Sequence, residues 1–186
     1  MTDTFEPECL YHIYNRAIGE EKLFRTKENY FYFLEKYQHY LDEKFLTLAY
    51  CLIPNHFHFL VKLKPNITNE QAVKAFSNFQ NSYCKSFNKV FSRSGSLFQR
   101  KFKRKKIENE AYLTQIVIYI HQNPVKHKIA KSPSEWLFSS FRSYLSDKPS
   151  KVDRSLVLEW FGGIDGFSTS HEANTAIYLP DEYLLE

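Results

Sequence analysis

Apolar residues recur along the chain in two rhythms, every second position in short runs and every third or fourth in longer ones, and the switches between them mark the elements. Tyr11 and Ile13 alternate with polar neighbours, which predicts a first strand over 11–18 that ends near Asn15 and Arg16, ahead of the turn signal at Gly19. Tyr30, Phe33, Leu34, Tyr37 and Leu41 then fall at helical spacing and predict an amphipathic helix over 28–44 that covers a sheet. The nearly unbroken apolar stretch 45–53 is too bulky and aromatic for a surface segment and reads as a central strand. Pro54 and Asn55 supply a turn, because proline fixes φ and brings no N–H, and the chain reverses into a strand over 56–64. On it Phe57, Phe59, Val61 and Leu63 form the buried face, which leaves His56, His58, Leu60 and Lys62 on the more polar side.

Thr68 and Gln71 form a capping box, hydroxyl and amide serving each other's backbone donors, and open a helix to about residue 91 with Val73, Phe76, Tyr83, Phe87 and Val90 as its stripe. Ser92, Arg93, Ser94, Gly95 and Ser96 are a loop by composition, followed by a predicted strand or ribbon over 97–107. Asn109 is an N-cap for a helix over 110–122, stopped at Asn123 because proline disfavours helical geometry in the residue before it. Leu113, Ile116, Val117 and Ile120 line one face of that helix, and Tyr112, Tyr119 and Asn123 run along its border. A short helix near 153–161 is halted by Gly162 and Gly163, and the remainder has no clear periodicity.

Composition narrows the class. With 186 residues, 43% of them hydrophobic, the chain predicts one domain with a full core, 1–145, and a C-terminal extension, 146–186, carrying a short helix and an acidic tail. Thirteen tyrosines and seventeen phenylalanines exclude a disordered chain. Cys9, Cys51 and Cys84 are an odd set without metal-type spacing and predict reduced thiols. The start of the chain, with Asp3, Glu6 and Glu8, lacks a signal peptide's basic and apolar regions, and no apolar run approaches membrane-spanning length, so the expectation is cytoplasmic with no membrane partner. A net charge of +4 would say little about a polyanionic partner if it were spread evenly, but six of the seven residues over 100–106 are basic.

The candidate chemistry sits on the strand after the turn. His56 and His58 project to one side about 6.6 Å apart along the backbone, a two-imidazole clamp that leaves positions open on a divalent ion. An Asn123 amide oxygen as third ligand would bring that ion toward the phenol of Tyr119. A cation on a phosphate oxygen withdraws charge while a phenolate attacks phosphorus in line, giving a phosphotyrosine that keeps the bond energy and needs no nucleotide. Free tyrosine titrates near pH ~10, so the neighbouring cation has to ease that proton's loss. Arg100, Lys101, Lys103, Arg104, Lys105 and Lys106, with Asn15 and Arg16 at the first strand's end, are the candidate phosphate contacts, and Phe98 and Phe102 the candidate stacking partners for unpaired bases. Each signal alone has a plainer reading as a half-buried strand histidine, a packed aromatic or a solvated charge run. Their joint occurrence argues for a site.

Four stretches carry a resemblance. Tyr50-Cys51-Leu52-Ile53-Pro54-Asn55-His56-Phe57-His58-Phe59-Leu60-Val61 is similar to the histidine-hydrophobe-histidine signature of the IS200-like single-tyrosine transposases, especially their REP-associated relatives. Tyr11-His12-Ile13-Tyr14-Asn15-Arg16, Gly95-Ser96-Leu97-Phe98-Gln99-Arg100 and Tyr119-Ile120-His121-Gln122-Asn123-Pro124-Val125 match that subfamily in order. The resemblance covers about 10–145. It implies an α/β ferredoxin-like antiparallel sheet with flanking helices, of the HUH endonuclease type, with the C-terminal helical extension added. It further implies a transposase that cleaves and rejoins single-stranded or hairpin DNA through a 5′-phosphotyrosine, as monomer or homodimer. By motif position Tyr119 would be the nucleophile and His56 and His58 metal ligands, with Asn123 in place of a glutamine, keeping the amide oxygen on a shorter arm. Residue chemistry alone suits zinc, whereas the resemblance implies Mg²⁺ or Mn²⁺. A nucleic-acid-binding protein of the same fold without cleavage, and a metallohydrolase that activates water, are the alternatives.

Overall fold

The computed structural model describes residues 3–173. Strand β1 (Leu10–Arg16) leads to α1 (Lys27–Leu41), a hairpin of β2 (Phe45–Ile53) and β3 (His56–Leu63), α2 (Asn69–Val90) and β4 (Lys103–Lys106). The strands pair antiparallel in the order β2-β3-β1-β4. With helices between β1 and β2 and between β3 and β4, this is the ferredoxin-like α/β sheet expected from the sequence. The two-residue connection at Pro54 and Asn55 puts β3 beside β2, and the α2 crossover then sends β4 to the far edge next to β1. The capping box forms as predicted, Thr68 N–H donating to Gln71 Oε1 at 2.9 Å and Gln71 N–H to Thr68 Oγ1 at 3.3 Å.

Both faces of the sheet are covered. On one, Phe57, Phe59, Val61 and Ile13 meet Phe33 and Tyr37 of α1 and Phe76, Phe79 and Tyr83 of α2 in an aromatic core. On the other lies α3 (Leu113–Lys126), entered through a 3-10 turn at Glu110–Tyr112 that Asn109 caps by accepting from Ala111 N–H at 2.9 Å. Ile116, Val117 and Ile120 pack there on Leu48, Ala49, Cys51 and Leu60. Three further helices, α4 (Phe141–Tyr144), α5 (Arg154–Trp160) and α6 (Ile164–Glu172), close over α3 through Phe141, Tyr144, Val157 and Phe167. Tyr144 also donates its hydroxyl to the Leu48 carbonyl, tying α4 to β2.

Several expectations need correction. The histidine face of β3 is buried, with His58 at 0% exposure, because α3 lies over it. The strand expected over 97–107 shrinks to four residues, with one isolated bridge, Ala17 to Phe98, ahead of it. Helix α3 runs through Pro124 to Lys126, since one missing N–H in the last turn is tolerated while the His127 N–H bonds the Asn123 carbonyl at 3.0 Å and that of Ile129 bonds the Pro124 carbonyl at 2.7 Å. Val90 ends α2 69% exposed and is no core residue. Part of the stretch read as aperiodic is α6. The acidic residues Asp181, Glu182 and Glu186 lie outside the described residues.

Candidate active site

Sheet register determines which side chains meet. Tyr14 of β1 pairs with His58, and Arg16 with His56. On the other side of β1, Tyr14 pairs with Lys103 and His12 with Lys105. Residues directly opposite share a face, so His12, Tyr14, Arg16, His56, His58, Lys103 and Lys105 all look toward α3. From that helix Tyr119 sets its ring perpendicular to His58, centroids 5.5 Å apart, and Asn123 one turn later reaches His56. The four residues expected to make the site therefore meet within one chain. Tyr119, His56, His58 and Asn123 are only 4%, 6%, 0% and 1% exposed.

Hydrogen bonding within this cluster leaves acceptors facing inward. Asn123 Nδ2 donates to the Tyr119 carbonyl at 3.1 Å, which turns its Oδ1 to His56 Nε2, also at 3.1 Å. His56 Nδ1 stands 2.9 Å from Asn55 Oδ1. A neutral imidazole has one N–H, so with that proton given to Asn55 the Nε2 lone pair confronts the Asn123 oxygen. His58 Nε2 is buried without a well-formed hydrogen bond, the Asn123 side chain being its polar neighbour. Burial first, and then the neighbouring His56, His12 and His127, hold His58 well below the usual histidine range, so it is uncharged at neutral pH. Two imidazole nitrogens and an amide oxygen thus converge as electron donors. The 3.1 Å edge matches the ~3.0 Å separation of adjacent ligands on an octahedral ion with bonds of ~2.1 Å. No group of three or more His, Cys, Asp or Glu side chains suited to a metal occurs among the described residues, so the amide is needed to complete the set.

The basic run is divided by the strand's pleat. Lys103 stands over the Tyr14 ring at 5.8 Å, and Lys105 points to the same side, 3.9 Å from Asp3. Arg104 turns to the other face, its guanidinium over Phe5 at 4.6 Å and Phe102 at 5.4 Å and its Nε on the Asp3 carbonyl. Lys106, on that face too, pairs with Glu6 at 2.7 Å. Arg100 and Lys101 are exposed and line a cleft against Ser77, Gln80 and Asn81 of α2. Arg16 is exposed beside the histidines. Asn15 is buried, its Nδ2 on the Gln99 carbonyl at 3.2 Å and its Oδ1 accepting from Arg16 N–H, so it fastens the loop after α2. Phe98 and Phe102 are both 6% exposed in the aromatic core.

Sequence reasoning missed His12, Tyr14 and His127. His12 Nε2 is 2.9 Å from His58 Nδ1, and the His127 ring lies 4.8 Å from that of His56. Burial, then proximity to Tyr119, raises the Tyr14 hydroxyl above its ordinary value. The signal was present: His12 and Tyr14 repeat on β1 the alternation of His56 and His58, and His127 follows Asn123 by one helical turn.

A family model described as "Transposase IS200 like" matches residues 6–123. A REP-associated tyrosine transposase of Haemophilus influenzae is 33% identical over 104 residues, 52% of this chain, and the match spans 59% of that relative's length. The solved structure of a REP-associated tyrosine transposase bound to a REP hairpin superposes with a TM-score of 0.63 at 20% identity, covering 83% of this chain and 94% of that one. This last likeness is one of fold. Among the described residues no helix is long and apolar enough to cross a membrane.

Proposed function

The chain belongs to the IS200-like transposase family, and from that premise we propose that it is a metal-dependent transesterase of single-stranded DNA, acting at hairpins, with Tyr119 as nucleophile. The observation that carries this is the convergence of His56 Nε2, His58 Nε2 and Asn123 Oδ1 beside the Tyr119 ring. Those three atoms would hold Mg²⁺ or Mn²⁺. The cation, when bound, would withdraw charge from a non-bridging phosphate oxygen. The Tyr119 phenol loses its proton and its oxygen bonds phosphorus. The bond to the 3′ oxygen breaks, and that oxygen leaves as a hydroxyl. Attack by a 3′ hydroxyl on the phosphotyrosine reverses these changes and rejoins the strand. Lys103, Lys105 and Arg16, on the same face, and Lys126, whose Nζ is 5.5 Å from the Tyr119 ring, would hold the flanking phosphates.

A second reading draws on the burial of Tyr119: a DNA-binding protein that does not cleave would keep its phenol packed as a core aromatic. Hairpin-bearing single strands incubated with Mn²⁺ and run on a denaturing gel separate the two. A covalent protein–DNA adduct that disappears with EDTA and in Tyr119→Phe is the expected result. Salt-sensitive binding with no adduct at any Mn²⁺ concentration overturns the enzyme in favour of the binder.

A further inference from the structure

We propose that His12 is a positioning residue, one that receives the Nδ1–H of His58 and thereby keeps the Nε2 lone pair of His58 turned into the metal cradle. The inference rests on the cation reading above. Its geometric basis is a contact that neither the motif nor that function uses. His12 Nε2 and His58 Nδ1 stand 2.9 Å apart, and both residues are 0% exposed. The two rings lie within 14° of one plane with centroids 5.1 Å apart. A face-to-face pair would bring the centroids closer, so this is an in-plane, nitrogen-to-nitrogen hydrogen bond. Register explains how it arises: β1 pairs Tyr14 with His58 and His12 with Leu60, making His12 the diagonal neighbour of His58 on the α3 face.

The bond matters because a neutral histidine carries one ring proton, and its location decides what the other nitrogen can do. With the proton on Nδ1, Nε2 of His58 is a lone pair able to ligate. With the proton on Nε2, His58 would face the cradle as a donor, and the Asn123 amide there would reward that tautomer by accepting from it. His12 supplies the competing acceptor on the other side. Metal-bound histidines ordinarily give their second N–H to a carboxylate, a carbonyl or water. Here an imidazole takes that place, and it also adjoins the nucleophile: the His12 ring meets the Tyr119 ring edge-on, centroids 6.0 Å apart. One residue of β1 thus adjoins both the ligand and the attacking group.

Two measurements on the full chain test this. Long-range ¹H–¹⁵N spectra of the metal-free wild-type protein should show His58 as the Nδ1–H tautomer, and an Nε2–H tautomer overturns the proposal without any variant. Mn²⁺ titration by calorimetry should show His12→Ala binding about 10- to 100-fold more weakly than wild type, with His12→Gln, whose amide oxygen can accept at the same place, recovering most of the loss. Equal Mn²⁺ affinity in wild type and His12→Ala removes the role of His12 and leaves the cation reading intact. Failure of the wild type itself to bind Mn²⁺ overturns that reading and this inference with it.

Discussion

At His56 and Asn123 an imidazole nitrogen and an amide oxygen stand 3.1 Å apart, two acceptors when His56 gives its one proton to Asn55, and the Asn123 amide cannot turn to relieve them without losing its bond to the Tyr119 carbonyl. A cation held between them, as proposed, would resolve that arrangement, and removal of the oxygen would do so too. Asn123→Leu is therefore expected to leave metal-free stability within about 1 kcal/mol of wild type, the helix keeping its backbone bonds. The stabilisation conferred by Mn²⁺, about 2.7 kcal/mol for wild type at a hundred times its Kd, should vanish in that variant. Thermal melts with and without the ion check both halves. Elsewhere His171 gives a pH effect of definite sign. It donates from Nδ1 to the Phe167 carbonyl at 2.8 Å, and its Nε2 is 3.0 Å from His121 Nδ1, while His121 Nε2 is 2.8 Å from the Ser140 hydroxyl. With both rings neutral every bond of this chain can form, and burial pushes His171 down to about 4. Between the ordinary value of ~6.5 and that one the unfolded chain binds a proton that the folded chain refuses. Stability should hold above pH ~6.5 and fall by about 3 kcal/mol as the pH drops to about 4. His171→Phe, with no proton to take up, should remove its share of that slope in urea titrations, while buried His58 and His121 keep theirs.

At the level of elements, α6 is where local propensity and tertiary packing disagree most. Replacing a helical glycine by alanine ordinarily stabilises by about 0.5–1 kcal/mol, and Gly166 sits in the first turn of α6. Yet a Cβ there would overlap the Phe161 carbonyl oxygen, which is backbone and cannot swing aside. Gly166→Ala should lower the melting temperature, whereas a gain would mean that α5 and α6 can part freely. Phe167 and His171, four residues apart, anchor α6 against His121, Phe141 and Tyr144. That two-residue stripe is too short to declare a helix in the sequence, and this is why α6 was unreadable there while the longer stripes of α1, α2 and α3 were not. The bounds expected for strand β4 were too wide for a related reason. Its four residues are all Lys or Arg, and its pairing comes from the open edge of β1 rather than from any apolar alternation of its own. His56 and His58 were legible because two histidines at alternate positions project together in any strand. His12 was not, because its meaning depends on β1 lying next to β3, a neighbour relation that only the completed topology supplies.

For the molecule as a whole, the net charge of +4 matters less than its partition between the two faces of one thin sheet. Alternation along β4 sends Lys103 and Lys105 toward Tyr119 and Arg104 and Lys106 away from it, so a contiguous run in sequence becomes two separate groups in space. In the far group Arg104 meets the Asp3 carbonyl and Lys106 the Glu6 carboxylate; in the near group Lys105 is 3.9 Å from the Asp3 carboxylate, and Lys103 and Arg16 border the site. Only charges free to exchange counterions for phosphates contribute to the salt dependence of binding, each by about 0.7 in the slope of log affinity against log salt on a single strand. Lys103→Ala and Arg16→Ala should each reduce that slope by about this amount while leaving the melting temperature almost unchanged. Arg104 is wedged over Phe5 and Phe102, so Arg104→Ala should do the opposite, lowering the melting temperature and leaving the slope as it was. Equilibrium binding of a hairpin oligonucleotide across a salt series, paired with melts of the same three variants, measures both quantities. Were Arg104→Ala to lose as much slope as Lys103→Ala, the DNA would have to run over both faces of the sheet, and the tyrosine face would no longer be the one that receives it.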